Sequence, residues 1–580
     1  MPHGLEKLPV FLYSFVGMKH YCIIKSFYAM KKSLFIVLGM LMAIRLSAQT
    51  IEVSGEYQGH VLWDADTVRL MGDVVIEPDE GGLACLTIER GTWVIAEGYY
   101  SITVHNGSFY ALGEDKYLVT FTARDTTDFY HPDAESGWHG IHLISDQSSA
   151  QDSVVMEYCE VKFGKITSSA PETERFGAGI EVRNKKYCYF ANCHFLQNRN
   201  DFNTSSPSGS GGGGMYVVNP GTILIEYCVF HDNYAWWGAS VSVGGLRYFT
   251  VHDCEFYNNT GSYGTALDMH IGELSLSAIG PRVYNNYIHG NHGNTAYLGW
   301  EGVGRLHDNI IVNNEGYSPV LGTTAPNYSH YYNNTIVNNL SEGFLNGRGS
   351  GIWTNGGQKI YNNIVYGNDM YDFYPQNLPQ IHFERMDPTH PDPTVFSNCV
   401  SCPDGNEGSV YDNPQFFCPT SGLGPDYDHS TIATHWALLE TSPCRGAGAT
   451  NMNQYYPETD FTGNPRVVYG RIDLGAIEYP DLDAVEEQAT QTNIYPNPGK
   501  DALHILTDWE NAIVVVYDLN GRKLCELQVD GHSASIDTGS WPPGLYCWKV
   551  YSNVGPSTLR PSSANTGSGT LVETGKWIKE

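Results

Sequence analysis

Basic residues are scarce in this chain of 580 residues. Lysine and arginine number 33 against 63 aspartates and glutamates, and the formal net charge is −30. Such an acidic surface repels phosphate backbones, so nucleic acid is not an expected partner, and neutral glycans or cations suit it better than anionic polysaccharides. Charged residues make up only 17%, whereas glycine and tyrosine number 62 and 39. This balance disfavours a helical protein, because glycine weakens helices.

Hydrophobic runs long enough to span a membrane are also missing from the body of the chain. The apolar run at 34–44 has about eleven residues, and a membrane span needs roughly twenty. Two lysines precede this run and small residues follow it, a pattern that predicts a secretory signal peptide at 30–48, cleaved after Ala48. Residues 1–29 are then interpreted as an upstream extension from a misplaced start. We expect no transmembrane segment in the mature chain.

Cysteine motifs typical of zinc ribbons are absent. Cys399 and Cys402 form one CxxC, with Cys418 and Cys444 downstream. A zinc ribbon needs two CxxC pairs, so disulfide bridges or free thiols are favoured over a metal site here. Export makes disulfides possible, although the pattern of pairing stays open.

A nine-residue sequence motif recurs along the chain and defines its repeats. It reads YYNNTIVNN from Tyr331, VYNNYIHGN from Val283, LHDNIIVNN from Leu306 and IYNNIVYGN from Ile360. Earlier copies align with these on one position, here called the anchor, at intervals of 23 to 35 residues. The eight anchors are Cys159, Cys193, Cys228, Cys254, Asn286, Asn309, Asn334 and Asn363.

Apolar residues stand three positions before each anchor and two positions after it, for example Tyr331 and Ile336 around Asn334. Positions five apart face opposite sides of a straight strand, so burying both requires a bend between them. Asparagine suits this bend because it tolerates left-handed backbone geometry. Seven copies also have asparagine five residues after the anchor. Equivalent amides on coils stacked about 4.8 Å apart can form hydrogen-bonded ladders.

Glycine-led strands form a second repeated column. They read GAGIEV, GGGMYV, GASVSV, GTALDM and GSGIWT. Repeats of 20 to 50 residues with strand-like content and no helical period predict an all-β fold, a parallel β-solenoid. The alternative, a β-propeller, would favour more regular four-stranded units.

The repeats resemble the pectate-lyase-like family of right-handed parallel β-helix proteins. Segments 86–113 and 137–143 look like opening coils of such proteins. Segment 442–450, followed by 460–480, is similar to the closing segment of secreted β-helix proteins with interchangeable surface anchors, the choice-of-anchor type. The resemblance implies a right-handed parallel β-helix with a terminal cap over residues 49–480.

A polar linker at 481–492 precedes a unit of different composition at 493–580. Strand-like runs around Asn520-Gly521 predict a hairpin and a small β-sandwich. The unit resembles the type A sorting domain of the type IX secretion system. The matching residues are Tyr495, Pro496, Asn497, Pro498, Asp518, Gly521, Arg522, Gly544, Tyr546, Lys576 and Lys579. The resemblance implies contact with the type IX machinery, and a protein that is secreted or displayed on the outer-membrane surface of a Gram-negative bacterium.

The outward residues of the glycine-led strands form the candidate binding column, because in β-helices that act on carbohydrates substrate commonly lies along one outward sheet face. They are Glu181, Tyr216, Ser242, Asp268, Tyr297 and Trp353, with Arg183 and His270 two residues beyond the column. Aromatic faces suit sugar rings, so a glycan ligand is predicted here. Trp300 and Glu301 are further candidates.

Asp268 and His270 are the best acid/base candidates, since about 6.5 Å separates alternate residues on one strand. The plain alternative is a solvated sheet face, which also alternates polar residues. Polygalacturonase and pectate-lyase signatures are not found in the sequence. No cofactor is predicted, and calcium at Asp64 and Asp66, or near Asp404, lacks a supporting loop motif.

Three functions therefore stay open at this point. The first is a secreted or cell-surface protein that binds glycans or other host or extracellular components. The second is a polysaccharide lyase or glycoside hydrolase that acts in the outward groove. The third is a passive structural surface protein. The absence of a family catalytic signature favours binding over catalysis.

Overall fold

The structure is a computed structural model and describes most of residues 49–579. The segments outside the description are 147–151, 204–209, 246–247, 272–278, 294–295, 301–302, 317–319, 323–328, 342–350, 355, 371–378, 384–391, 402–404, 418, 420–431, 433–434, 451–456, 480–491, 496–501, 508–511, 518–522, 530–532, 543 and 553–569. The chain divides into two compact units, the first ending at Tyr479 and the second beginning at Pro480.

The first unit is a parallel β-helix whose coils each supply three main strands. In one coil these are Ile180–Arg183, Tyr187–Ala191 and His194–Leu196. Each strand pairs in parallel with its equivalent one coil later, so the strands build three faces, here called sheets 1, 2 and 3. The predicted all-β solenoid is confirmed.

Sheets 1 and 3 branch from the same first strands and form a single 23-stranded sheet. The shared strands are Thr50–Gln58 and Thr67–Glu77. Sheet 1 continues through Ile102–His105, Ile141–Ile144, Ile180–Arg183, Met215–Val218, Val241–Gly244, Leu267–Ile271, Ala296–Trp300, Val320–Gly322, Ile352–Thr354 and Ile381–Phe383. Sheet 3 continues through Trp93–Ala96, Val119–Ala123, Cys159–Lys162, His194–Leu196, Val229–His231, Glu255–Tyr257, Tyr287–His289, Ile310–Val312, Thr335–Val337, Ile364–Tyr366 and Cys399–Val400.

Sheet 2 closes the tube with twelve strands. They are His60–Trp63, Cys85–Glu89, Ser108–Leu112, Ser153–Glu157, Tyr187–Ala191, Thr222–Glu226, Phe249–His252, Ile279–Tyr284, Val303–His307, His330–Tyr332, Lys359–Tyr361 and Thr394–Phe396. Two short sheets lie after sheet 3, made of Lys165–Ile166, Arg199–Asn200 and Tyr234–Ala235, and of Glu315–Gly316, Leu340–Ser341 and Asp369–Met370. A one-turn 3-10 helix occupies Glu172–Glu174.

Where the structure describes the side chains, apolar residues fill the tube interior. Phe195, Phe230 and Phe256 stack on successive coils at centroid distances of 4.9 and 5.0 Å. All three are fully buried. Burial of this continuous column is the main source of stability, at roughly 25 cal/mol for each Å² of apolar surface removed from water.

The corner between sheets 2 and 3 uses two residues in different ways. The residue before the anchor takes the left-handed conformation, as in Asn333 with φ of 52°. The anchor asparagine itself is buried, and its amide joins a ladder. Asn309 Nδ2 donates to Asn334 Oδ1 at 2.9 Å, and Asn334 Nδ2 donates to Asn363 Oδ1 at 2.9 Å. The predicted ladder is confirmed, and it extends from Asn286 to Asn398.

A second ladder follows sheet 3 and is longer. It comprises Asn198, Asn233, Asn259, Asn291, Asn314, Asn339 and Asn368. Gly164 donates its backbone N–H to the first oxygen of this ladder at 3.0 Å. At the other end Asn368 Nδ2 donates to Gln380 Oε1 at 2.9 Å, and Gln380 Nε2 turns back to Asn368 O at 3.0 Å.

The closing segment of the first unit packs along the outer face of sheet 3. Trp436, Leu474 and Ile477 form one apolar cluster with Ile310 and Ile364, which point away from the tube interior. Arg466 fixes this segment to a corner, because its buried guanidinium pairs with Asp308 and, at 2.7 Å, with Glu478. The closing segment therefore covers sheet 3 from the side, and its role as the terminal cap stays a prediction.

The second unit contains two small antiparallel sheets around its own core. One sheet has Thr492–Tyr495, Ala502–Thr507 and Ser533–Asp537, and the other has Lys523–Gln528, Ile513–Tyr517, Gly544–Ser552 and Thr570–Lys579. The strands on either side of Asn520-Gly521 pair in the antiparallel manner expected of a hairpin. Leu503, Val514 and Val550 are fully buried in the core.

Candidate functional site

The candidate binding column lies in sheet 1 in the expected register. Glu181 pairs with Tyr216, which pairs with Ser242, and Asp268 and Tyr297 follow on the next two coils. Trp353 occupies the same register further along, after Leu321. The column thus contains the residues that the repeats bring together. Their role in binding stays a prediction.

The described members of the column are nevertheless covered from solvent. Glu181 is 1% exposed, Asp268 is fully buried and Trp353 is 1% exposed. Tyr216 and Ser242 are also buried. This differs from the open sheet face that alternation alone suggests. An extended polymer therefore has no direct access to these carboxylates in this conformation.

Glycines in the segments before the sheet 1 strands explain the cover. Gly238 and Gly264 have φ of 59° and 60°, and a Cβ at either would meet the Cβ of Ser242 or Asp268 at 2.4 Å. The backbone therefore folds back over the residue four positions later, an approach that only glycine permits. Trp237 and Tyr263 follow the same path and stack at 4.3 Å.

Glu181 lies in a buried charged cluster. Its carboxylate contacts His142 Nδ1 at 2.8 Å and accepts a hydrogen bond from Arg183 Nε. Arg183 lies over the rings of Phe176 and Tyr216, at 4.6 and 5.2 Å. Burial alone would raise the pKa of Glu181, but the hydrogen bonds from His142 and Arg183 outweigh it and lower that pKa. The carboxylate is therefore held ionised.

His142 was not among the predicted site residues. It pairs with Glu181 across neighbouring strands, and its Nε2 contacts His139 O at 2.8 Å. Burial opposes its charge, but contact with Glu181 raises the pKa of His142. The signal was present in the sequence, because GWHGIHL places Ile141 in register with Ile180 and so His142 beside Glu181.

The other predicted site residues fall into three groups. Asp268 accepts a hydrogen bond from Ser242 Oγ at 2.9 Å. His270, Tyr297 and Trp300 lie on strands Leu267–Ile271 and Ala296–Trp300, and their side chains are not described. Glu301 lies outside the described residues. Asp268 and His270 as a catalytic pair therefore remain a prediction.

A row of exposed and half-buried polar and aromatic residues follows the short sheet beyond sheet 3. Arg199, Tyr234, Thr260, His292 and Glu315 pair in succession from coil to coil, and we call them the outer stripe. The side chain of His292 is 57% exposed, and its Nδ1 lies 3.3 Å from Glu315 Oε2. This stripe was not predicted from the sequence.

A tyrosine of the preceding loop extends the outer stripe. Tyr130 is 66% exposed. Arg199 Cζ lies 5.9 Å from the Tyr130 ring and 4.1 Å from the Tyr234 ring. These distances indicate cation–π contacts that hold both rings in place. The result is a partly exposed surface with aromatic faces and polar edges.

The residues considered for calcium from the sequence are Asp64, Asp66 and Asp404. Among the residues that the structure describes, no three His, Cys, Asp or Glu side chains form a group that could hold an ion. Asp66 accepts a backbone hydrogen bond from Gln49 at 2.6 Å. Asp404 lies outside the described residues.

The predicted sorting residues are distributed over the second unit. Tyr495 ends strand Thr492–Tyr495, Gly544 and Tyr546 lie on Gly544–Ser552, Lys576 and Lys579 lie on Thr570–Lys579, and Pro496, Asn497, Pro498, Asp518, Gly521 and Arg522 lie outside the description. The last two strands pair with each other, with Tyr546 opposite Trp577. Tyr546 is 4% exposed and belongs to the core.

Comparison with known families agrees with this division of the chain. Residues 125–273 match the family described as right handed beta helix region. Residues 493–560 match the secretion system C-terminal sorting domain. A search of curated proteins returned no match. Within the part of the chain that the structure describes, no helix has the length and hydropathy needed to cross a membrane.

Proposed function

We propose that this secreted protein, a right-handed β-helix followed by a C-terminal sorting domain, is displayed on the cell surface and binds neutral glycans along the outer stripe. The sorting domain accounts for secretion. Attachment to the outer-membrane surface and glycan binding are the further steps of the proposal. The observation that carries it is the pair of the exposed Tyr130 and the half-buried Tyr234, with Arg199 between the two rings.

The chemistry of the outer stripe supports a sugar ligand. Aromatic rings offer apolar faces, and the neighbouring Thr260, His292 and Glu315 supply hydrogen-bonding groups. These residues recur once per coil, at a spacing of about 4.8 Å. The stripe therefore extends for roughly 20 Å, which suits a linear oligosaccharide better than a compact ligand. The net charge of −30 favours a neutral chain over an acidic one.

The experiment is a glycan array with the full secreted chain, followed by titration calorimetry on the neutral oligosaccharides that bind. Tyr234→Ala is expected to weaken binding about tenfold, which corresponds to roughly 1.4 kcal/mol. Tyr117→Ala is the matched control, because Tyr117 is 59% exposed and also lies beside an arginine, Arg90. Equal losses in the two variants, or no binding to any neutral glycan, would contradict the proposal.

Cleavage of a glycan is the alternative, and the contact between Glu181 and His142 is the observation that favours it. A carboxylate and an imidazole at 2.8 Å form an acid/base pair of the kind that catalysis uses. Asp268 and His270 are the other candidates. Release of reducing ends or unsaturated products from a bound glycan, lost in Glu181→Gln or Asp268→Asn, would replace binding with catalysis.

A further inference from the structure

Two buried cysteines from distant parts of the chain meet where the closing segment covers sheet 3. Cys399 begins the last strand of sheet 3, and Cys444 lies in the closing segment. Both are fully buried, and both belong to the apolar cluster around Trp436 and Leu474. The Cys399 thiol donates to Asp412 O at 3.4 Å, and interaction with the nearby Cys444 thiol, together with burial, raises the pKa of Cys399. In this structure both are free thiols.

The backbone holds each cysteine in place. Cys399 N donates to Asn363 O at 2.8 Å, which ties it to the preceding coil. Cys444 O accepts a hydrogen bond from Leu474 N at 3.0 Å, which ties it to the closing segment. The backbone at both positions is therefore held independently of the thiols.

We propose that Cys399 and Cys444 form a disulfide in the exported protein, which joins the closing segment covalently to the last coil. Export carries the chain through an oxidising compartment. The two thiols lose two protons and two electrons. The electrons pass to the disulfide of a periplasmic thiol oxidoreductase, which is reduced to a dithiol through a mixed-disulfide intermediate.

Four other buried cysteines provide an internal comparison. Cys159, Cys193, Cys228 and Cys254 occupy equivalent anchors on consecutive coils, each followed by a strand in register with the next. Parallel strands in register hold equivalent Cβ atoms about 4.8 Å apart, whereas a disulfide needs roughly 3.8 Å. These four therefore stay reduced, although they are also neighbours. Whether two neighbouring cysteines form a disulfide therefore depends on the Cβ separation that the strands impose, and not on proximity alone.

Peptide mapping tests the bond directly. Trypsin alone leaves Cys399, Cys402, Cys418 and Cys444 on one peptide, residues 386–445. Additional cleavage after Glu407 and Glu440 separates residues 386–407, 408–440 and 441–445. The exported full chain is recovered without reductant, alkylated at once, digested with both proteases and analysed by mass spectrometry.

The expected result is a link between peptides 386–407 and 441–445, which reductant abolishes. The link persists in Cys402→Ser and is lost in Cys399→Ser. If Cys399→Ser does not fold, the wild type and Cys402→Ser still decide the question. An alkylated Cys444 in the exported protein, or a link from 441–445 to 408–440 or to Cys402, would overturn the proposal.

A stability measurement separates a bond from mere packing. Cys444→Ser is expected to have a lower thermal midpoint than the wild type when both are measured under oxidising conditions. Most of that difference should disappear when both are measured with reductant. An equal difference in thermal midpoint under the two conditions would show that the Cys444 thiol contributes to stability through packing and not through a disulfide.

Discussion

Asn338 and Asn339 are consecutive in the chain, yet they supply different parts of one corner. Asn338 is exposed and has φ of 57°, so it makes the turn. Asn339 is buried, and its Nδ2 donates to Asn368 Oδ1 at 2.8 Å. The paired asparagines therefore combine two properties of one side chain, tolerance of left-handed backbone and a self-complementary amide.

Asn339→Ala is expected to destabilise the β-helix by roughly 3 to 5 kcal/mol, since several buried groups lose partners that are each worth about 1 to 3 kcal/mol. Asn314 loses the oxygen that accepts from its backbone N–H and from its amide. Ile311 O loses a donor at 2.9 Å. Guanidinium unfolding checks this, and a loss below 1 kcal/mol would contradict the importance of the ladder.

Asn338→Gly is expected to change stability little, whereas Asn338→Ala should cost about 1 kcal/mol, because alanine is strained at positive φ. The two variants are matched, since both remove the same exposed amide. Their difference in unfolding midpoint isolates the backbone effect. Equal midpoints for the two variants would indicate that the side chain of Asn338, rather than its φ, matters.

Gly264→Ala is expected to destabilise the cover of sheet 1 by roughly 3 kcal/mol, through strain at positive φ and a Cβ contact with Asp268. Gly82→Ala is the control: Gly82 also has positive φ, at 74°, but its Cβ would meet nothing within 4 Å. Thermal unfolding of both variants should show the smaller loss for Gly82→Ala. A larger loss in Gly82→Ala than in Gly264→Ala would mean that the segment covering Asp268 has room for a methyl group.

His252 should make stability depend on pH above neutrality. Burial lowers its pKa, but contacts with Asp253 at 2.6 Å and Glu226 at 3.3 Å outweigh that and raise the pKa to about 9. The ordinary value is 6.5, so this stabilisation is complete below pH 6.5 and is lost as pH rises through 9. It is on the order of 3 kcal/mol. The difference in free energy of unfolding between the wild type and His252→Gln should therefore be smaller at pH 10 than at pH 6. An equal difference at the two pH values would refute the assignment of this pH dependence to His252.

Deletion of residues 493–580 should leave the β-helix in the periplasm, because this segment contains the sorting domain match. Cell fractionation and immunoblotting measure the distribution between periplasm, surface and medium. A reporter fused to residues 481–580 and given a signal peptide tests the reverse, and should leave the periplasm. Surface display of the deleted chain would contradict a sorting role for the second unit.

The fold was largely predictable because its signals repeat. Each coil shows the same anchor, and burial of Tyr331 and Ile336 on either side of Asn334 demands the bend that the structure contains. The cover over Asp268 was not predictable from alternation, since it depends on the path of the segment at Gly264. The outer stripe was not predicted, because its strands of two residues and its isolated bridges are too short to show a recognisable period in the sequence.

The cover on the outer face of sheet 3 was not predicted, although the sequence contains a signal for it. Early coils have polar residues at the outward positions, such as Glu160 and Lys162, which form an ion pair at 2.5 Å. Later coils have Ile310 and Val312 at the equivalent positions, and both are fully buried. A change from polar to apolar on an outward face predicts a cover. Here the cover is the closing segment.

The second asparagine ladder also has a direction. Every amide from Asn198 to Asn368 donates toward the next coil, so the small dipoles of the side chains all point the same way along the tube. Gln380 stops this series, because its extra methylene lets the amide bend round and return a hydrogen bond to Asn368. A glutamine in place of an asparagine thus ends the ladder. Moving this glutamine to another coil would therefore set a different length for the ladder.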